Sequence, residues 1–370
     1  MKILILSAGN SVHTIKWVNT LAKREHEVYL VYNKGHEPQN GEVDENVVCI
    51  CLKHGGNAGY FLNAGQLRKI EKQIRPEVIN VHFASGYGTL ARKAKIGPIL
   101  LSIWGSDVYD FPNKSIIHHK LIEKNVMYAS MLASTSECMA KQLRKVMGQP
   151  EMDISITPFG VDLKLFDSHR FNNTNENRNI VIGNIKMLKP KYGIDKLIKA
   201  VSILEKRLQN QAEDTKRISL KIYGEGNQKE ELEELVKKLE LGDIVSFEGY
   251  IPNTSVPEKL NEFDIFCAVS QLDSESFGVA VVEAMAMQIP VVVSDVDGFK
   301  EVVNDGETGI VVSKEDVVEI ASALEKLVMD SNLRKEYGMN GRKRVEQLFD
   351  WERNVNDMEQ LYCILRDRRY

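Results

Sequence analysis

The chain alternates buried-strand and helix patterns over almost its whole length, and few folds accept that. Near the start, "KILILS" is a continuous apolar run, "HTIKWVNTLAKR" spaces its apolar residues as a helix does, and "EVYLVYN" is a second strand-like run. A tight, small-residue stretch, "AGNS", joins the first strand to the helix. A strand without polar alternation must be covered on both faces, and parallel neighbours need a crossover such as a helix. "EVINVHF" and "PILLSIW" repeat the pattern around the helical "GTLARKAKI". The expectation is a parallel sheet with helices on both faces.

A second series begins near residue 179. "NIVIGNI", "ISLKIYG", "IVSFEGY", "DIFCAVS", "PVVVSDV" and "GIVV" read as strands, with helices such as "QKEELEELVKKLEL" between them. Ahead of it, "DSHRFNNTNENRN" has almost nothing to bury and reads as an interdomain linker. A length of 370 residues also exceeds what one core usually serves. Two doubly wound α/β domains of similar size are therefore expected, one over residues 1–165 and one over 166–350. Ligands bind at the carboxyl ends of strands in such sheets, so a cleft between the domains is the natural site.

Composition narrows the class. With 43% hydrophobic and 27% charged residues the chain is of ordinary globular type. The apolar run in "MKILILSAGN" is too short for a signal-peptide core, and no stretch approaches the roughly 18 apolar residues of a spanning helix. A cytoplasmic protein is expected. Its five cysteines form no C-x-x-C pair and read as reduced core thiols, and no His/Cys cluster has metal-ligand spacing. Lys and Arg outnumber Asp and Glu by 20 to 15 up to Leu165, whereas beyond it the acids lead by 37 to 28. The basic first half suits anionic lipid or phosphate, or has no functional meaning. No nucleic-acid partner is expected.

The stretch "SESFGVAVVE" carries the most chemistry. Glu275 and Glu283 bracket an apolar run, and a buried carboxylate is costly unless something pairs with it. A helix is expected from about Phe277 to Gln288, ended by Pro290, with Glu275 in the loop before it and Glu283 two turns inside. The N–H groups of Phe277, Gly278 and Val279 would then form an anion site. Glu283 could accept both hydroxyls of a ribose and Glu275 those of a hexose. Alternatively, Glu283 meets a buried cation and Glu275 is a solvated loop acid.

Glu-x7-Glu followed by "AMAMQIPVVVSDVDGFKEVVNDGETGIVV" resembles the signature of family 4 of the retaining, GT-B-fold glycosyltransferases. "ITPFGVDLKLF", "IYGEGNQKEELEELVKKLELGDIVSFEGYIP" and "FDWERNVNDMEQLY" resemble the family's domain junction, nucleotide-binding neighbourhood and closing helix. "TLAKREHEVYLV" resembles its opening, with Glu25 where glycine is usual. The resemblance covers nearly the whole chain. It implies two Rossmann-like domains facing each other across a cleft, an N-terminal one for acceptor and a C-terminal one for a nucleotide diphosphate sugar. It also implies a closing helix over 351–370 that packs back onto the first domain.

The resemblance assigns residues too. In "GNIKMLKPKYGIDKLIKA", Lys186 and Lys191 match the two basic positions that contact the donor diphosphate, with Lys189 between them. Lysine at 186, where arginine is commoner, keeps the charge without the bidentate fork. "GYIP" matches the segment whose backbone holds the base, which makes Tyr250 and Ile251 candidates. In the first half, Asn10, Ser11 and His13 match the loop near acceptor and donor phosphate, and His82 a position lining the cleft. "SIWGSDVY" departs from the pattern: Gly105 and Asp107 are kept, but Trp104 stands where a histidine usually faces the donor sugar. The D-x-D of Asp295 to Asp297 reads as a loop after a strand, not as a metal site.

The activity implied is metal-independent, retaining hexosyl transfer from a nucleotide sugar, with a UDP-sugar favoured, and without a cofactor. Lys186, Lys191 and the helix start would stabilise the leaving diphosphate. No covalent nucleophile presents itself, and the resemblance requires none; it implies a front-face mechanism in which the departing phosphate helps deprotonate the acceptor. The acceptor implied is a glycan or a lipid-linked hydroxyl in surface polysaccharide assembly. The helix "AGQLRKIEKQIR" mixes apolar and basic residues; it either turns its apolar face to the core or offers a surface to an anionic membrane at the inner face of the plasma membrane. A GT-B-fold sugar-nucleotide epimerase and a non-catalytic, nucleotide-sugar-binding subunit are the rival readings.

Overall fold

A computed structural model describes residues 1–171, 179–210 and 217–368. The chain divides into two compact units, one of Met1–Phe159 with Val355–Tyr370 and one of Gly160–Asn354.

The first unit holds seven strands: β1 (Lys2–Leu6), β2 (Glu27–Lys34), β3 (Val48–Gly55), β4 (Val78–His82), β5 (Leu100–Ile103), β6 (Met131–Ser134) and β7 (Ser155–Ile156). Their order is β3-β2-β1-β4-β5-β6-β7, with parallel pairing throughout. Leu4 of β1 lies opposite Tyr29 on one side and Ile79 on the other. Winding runs outward from β1 to β3 and then crosses back to β4, so the sheet reverses between β1 and β4. The unbroken apolar runs follow from this: Ile3, Leu4, Ile5 and Leu6 are all fully buried.

The second unit repeats the plan with β8 (Ile180–Ile185), β9 (Ile218–Tyr223), β10 (Val245–Gly249), β11 (Ile265–Ala268), β12 (Val291–Ser294) and β13 (Gly309–Val312). These form an all-parallel sheet in the order β10-β9-β8-β11-β12-β13, which reverses between β8 and β11. The helix Ile194–Gln209 buries Leu197, Ile198, Val201 and Leu204 in its core.

Several details differ from the sequence reading. The units part at Gly160, not at residue 166. "GVDLKLF" is tied into the second unit: Val161 N–H donates to Phe349 O (2.8 Å), Trp351 N–H donates to Val161 O (3.1 Å), and Arg342 Nη1 donates to Phe166 O (2.5 Å). Of the polar linker, residues 172–178 lie outside the described residues. The closing helix is Trp351–Asp367, and from Val355 onward it belongs with the first unit. There Tyr362 is fully buried and accepts a 2.8 Å hydrogen bond from Asn80 Nδ2, while Glu359 meets Arg24 and His26 at 2.7 and 2.8 Å. Cysteines are less uniform than expected. Cys267 is a core thiol, but Cys49 and Cys51 are exposed because β3 is an edge strand. The helix Ala64–Ile74 turns its apolar Leu67 and Ile70 into the core.

Candidate functional site

In each unit most of the candidate residues follow the carboxyl ends of strands at or next to the reversal, where open α/β sheets leave a crevice, whereas Tyr250 and Ile251 follow the edge strand β10. In the second unit Lys186 follows β8 directly, and Glu275 lies in the loop after β11, the neighbouring strand. Lys186 Nζ is 2.8 Å from Glu275 Oε2, and both side chains are largely buried, at 19% and 13% exposed. Burial acts to depress the Lys186 pKa. Glu275 and, more weakly, Tyr192 and Glu283 outweigh it, so the pKa stands above its ordinary value and the ammonium stays charged.

Lys191 reaches the same place through a short 3₁₀ turn, Pro190–Tyr192. That turn is fastened to the end of β11, since Gln271 N–H donates to Lys191 O at 2.8 Å. Gly193 makes the approach possible: its φ is +65°, and a Cβ there would stand 2.2 Å from Val269 O. Both lysines share the Tyr192 ring, with each ammonium 4.8 Å from its centre. The sequence reading missed it, although an aromatic residue inside "KPKYG" is a visible signal for a cation–π contact. Lys189, the rival in the same run, is exposed.

The helix after Glu275 is shorter than expected. It spans Val279–Ala286, with Gly278 as N-cap at φ +82°. A left-handed residue cannot be the first turn of a helix, so the start moves from Phe277 to Val279. Phe277 is 4% exposed and packs edge-on against Phe349 at 5.4 Å. Gly278 O accepts from Val281 and Val282 N–H, as a helix cap does. The first N–H groups of the helix have no intrahelical partner, and Gly278 places no side chain in front of them. Glu283, one turn further in, is half-buried and close enough to act on Lys186. It is therefore not sealed in the core, despite its apolar neighbours. Ser270 Oγ lies at the edge of hydrogen-bond range from Glu275, at 3.5 Å.

Tyr250 and Ile251 follow β10 at the edge of this sheet; the Tyr250 side chain is 70% exposed. Asp295 stays in the loop after β12, as read, and accepts from Lys314 N–H at 3.0 Å, while Asp297 opens the short helix Asp297–Val302 and pairs with Lys300 at 2.9 Å. Among the described residues, no group of three His, Cys, Asp or Glu side chains converges as a metal site would require.

The first unit gathers different chemistry at β1, β4 and β5. Asn10 is exposed and Ser11 caps the helix Val12–Lys23 without a side-chain bond. The His13 ring stacks on Phe159 at 4.0 Å and meets Trp104 edge-on at 6.0 Å. Trp104, half-buried, also contacts His82 (4.2 Å), Phe83 (5.3 Å) and Phe159 (5.3 Å). Its place in the sequence motif is thus filled by an aromatic cluster rather than by a hydrogen-bonding imidazole. His82 sits behind it, 1% exposed, with Nδ1 3.1 Å from Ser7 Oγ, which in turn is 2.7 Å from Thr14 Oγ1. Burial, aided by His13, drives the His82 pKa down to about 3, so the ring is neutral.

Asp107 is likewise enclosed. Oδ1 accepts from Trp104 N–H (3.2 Å) and Gly105 N–H (2.9 Å), and Oδ2 accepts from Ala84 N–H (2.8 Å). Burial raises its pKa against these backbone bonds. His82 and Asp107 are therefore packing and loop-shaping groups, and the surface they support is Trp104 with His13. Gly105, at φ +131°, makes the turn that Asp107 closes.

Comparison with known proteins agrees with this layout. The profile of the glycosyl transferases group 1 matches residues 166–344, and that of glycosyl transferase 4-like proteins matches residues 2–136. The N-acetyl-alpha-D-glucosaminyl L-malate synthase of Bacillus anthracis is 25% identical over 82% of this chain and 79% of its own length. The capsular polysaccharide biosynthesis glycosyltransferase CapM of Staphylococcus aureus is 39% identical, over 28% of this chain and 26% of that protein. In structure, a sucrose-phosphate synthase from Thermosynechococcus elongatus superposes with a TM-score of 0.82 at 20% identity, over 98% of both chains. Anabaena HepE in complex with UDP-glucose superposes with a TM-score of 0.76 at 17% identity, over 99% of this chain and 100% of that one. Two Rossmann-like sheets, the second matched by the one profile and the first by the other, place the chain among the family 4 glycosyltransferases of GT-B fold.

Proposed function

We propose that this glycosyltransferase moves a hexose from a UDP-sugar to a hydroxyl of a glycan or lipid-linked acceptor, with retention of configuration and without a metal ion, in surface polysaccharide assembly at the cytoplasmic face of a membrane. One observation carries the reading: the buried Lys186–Glu275 pair, with Glu283 acting on the same ammonium, has its carboxylate in the loop that leads into a helix capped by a glycine. The UDP-glucose complex of the structurally similar HepE and the capsular role of CapM support the donor and the pathway.

In this reaction the bond from the anomeric carbon to the diphosphate oxygen breaks, and its electron pair stays on the phosphate. Lys186, Lys191 and the N–H groups at Gly278 and Val279 stabilise the charge that develops there. Cationic side chains and a helix terminus thus supply what a divalent ion would. Glu275 holds hydroxyls of the transferred sugar, Glu283 those of the ribose, and the backbone at Tyr250 and Ile251 the base. The acceptor oxygen bonds to the anomeric carbon from the side the phosphate leaves, and its proton passes to that phosphate.

Calorimetry with UDP, GDP and ADP, alone and as sugar conjugates, tests this. UDP should bind most tightly, and Glu283→Ala should weaken it about 10- to 100-fold, as expected for lost hydrogen bonds to a charged group. Equal affinity in the variant, or preference for another base, overturns the assignment.

A further inference from the structure

In the first unit, two consecutive isoleucines lie open to solvent. Ile116 and Ile117 are 75% and 78% exposed, in the first turn of the helix Ile116–Val126. The helix buries Ile122, Asn125 and Val126 on its opposite face. Spacings of three, four and seven residues put Lys120 and Lys124 on the outward face with the isoleucines. The turn before the helix adds Lys114, whose ammonium is 5.7 Å from the Phe111 ring, and Phe111 in turn meets His118 at 4.7 Å. Ser115 holds the helix start, with Oγ 2.7 Å from His118 Nδ1. From Pro112 to Lys124 the segment carries three lysines and two histidines against one acid, Glu123.

We infer that the Ile116–Ile117 turn is a membrane-docking surface that inserts two aliphatic side chains between the headgroups of an anionic bilayer while Lys114, Lys120 and Lys124 lie against the phosphates. The inference deepens the reading of a lipid-linked acceptor and rests on it, although binding is measurable without donor or acceptor. Long lysine stems extend toward headgroups while keeping their charge in water, which suits an apolar pair rimmed by cations. A second copy is the poorer occupant, because a two-fold contact would set the same lysines against one another. The helix Ala64–Ile74, the surface suggested by the sequence, cannot serve in this way, since its apolar residues are in the core.

Co-sedimentation with vesicles tests the proposal. The chain should pellet with phosphatidylcholine vesicles containing about one-third phosphatidylglycerol and not with phosphatidylcholine alone, and about 0.5 M salt should release it. Ile116→Ser with Ile117→Ser should lower partitioning on the order of tenfold or more, and Lys120→Ala or Lys124→Ala about fivefold each. Unchanged thermal unfolding and unchanged UDP binding show that the variants are folded and leave the donor reading standing. Ile116→Trp supplies an independent probe, whose emission should shift to the blue on anionic vesicles. Equal sedimentation of the double serine variant, an unshifted emission, or a self-association that the serines abolish would each overturn the docking surface.

Discussion

The two units solve the same topological problem and then furnish it with opposite chemistry. After β8 and β11 the second unit keeps ions: the Lys186 ammonium is held charged by Glu275, and Lys191 approaches through a turn pinned by Gly193. After β1, β4 and β5 the first unit suppresses them. His82 is neutral with a pKa pushed down to about 3, Asp107 is enclosed by backbone donors, and the surface left is the Trp104, His13 and Phe159 cluster. The difference teaches what each half offers: the second unit supplies charge of the kind that would stabilise a leaving phosphate under the proposed function, and the first supplies a ring surface of the kind that packs on apolar faces.

The largest expected effect breaks the ionic half. Glu275→Gln and Lys186→Met should each lower turnover about 10²- to 10³-fold. Because the two groups act as a pair, the double variant should lose little more than either single one. Steady-state kinetics on the folded variants measures this, and full additivity would show that the pair is not one device.

A smaller effect sharpens the view of the first unit as a charge-excluding one. His82 has a folded pKa of about 3 against an ordinary value of 6.5. Above pH 6.5 both folded and unfolded chains hold it neutral, and its full contribution to stability is present. As pH falls from 6.5 toward 3 only the unfolded chain takes up the proton, so stability falls by up to roughly 1.4 kcal/mol per pH unit. Asp107, raised by burial, works in the opposite direction at the acid end. Comparing wild type with His82→Phe removes that second contribution, and the variant should lose the slope between pH 6 and 4. Parallel curves from denaturant unfolding would show that His82 takes a proton in place.

The smallest effect separates the halves. Trp104→Ala should raise KM for sugar or acceptor about three- to tenfold, the scale of an aromatic contact, and leave UDP affinity unchanged. Calorimetry that showed weaker UDP binding would place Trp104 in the ionic site instead.

Much of this was legible in the residues. Short unbroken apolar runs such as "KILIL" and "PVVVS", alternating with helical patterns, indicate covered parallel strands, and ten of the thirteen described strands lie on the runs read as strands, the exceptions being β3, β6 and β7. The lysines and glutamates of the second unit were visible from spacing and family likeness. What spacing could not reveal was that Lys186 and Lys191 both come within 4.8 Å of the Tyr192 ring centre, because the turn that presents the ring depends on Gly193 meeting Val269 O. Nor could it tell that His82 and Asp107 are enclosed: a polar residue ending a strand reads the same whether water or backbone donors satisfy it.

The sequence by itself determined the number of sheets, their parallel sense and the charged residues that gather in the second unit, because local periodicity and charge are properties of neighbouring residues. Tertiary structure alone decided where the units part, which helix start stands open at Val279 rather than Phe277, and which apolar pair stays in water at Ile116 and Ile117. Each of these depends on what residues distant in the chain bring against it, and burial is settled by those contacts rather than by the residue itself.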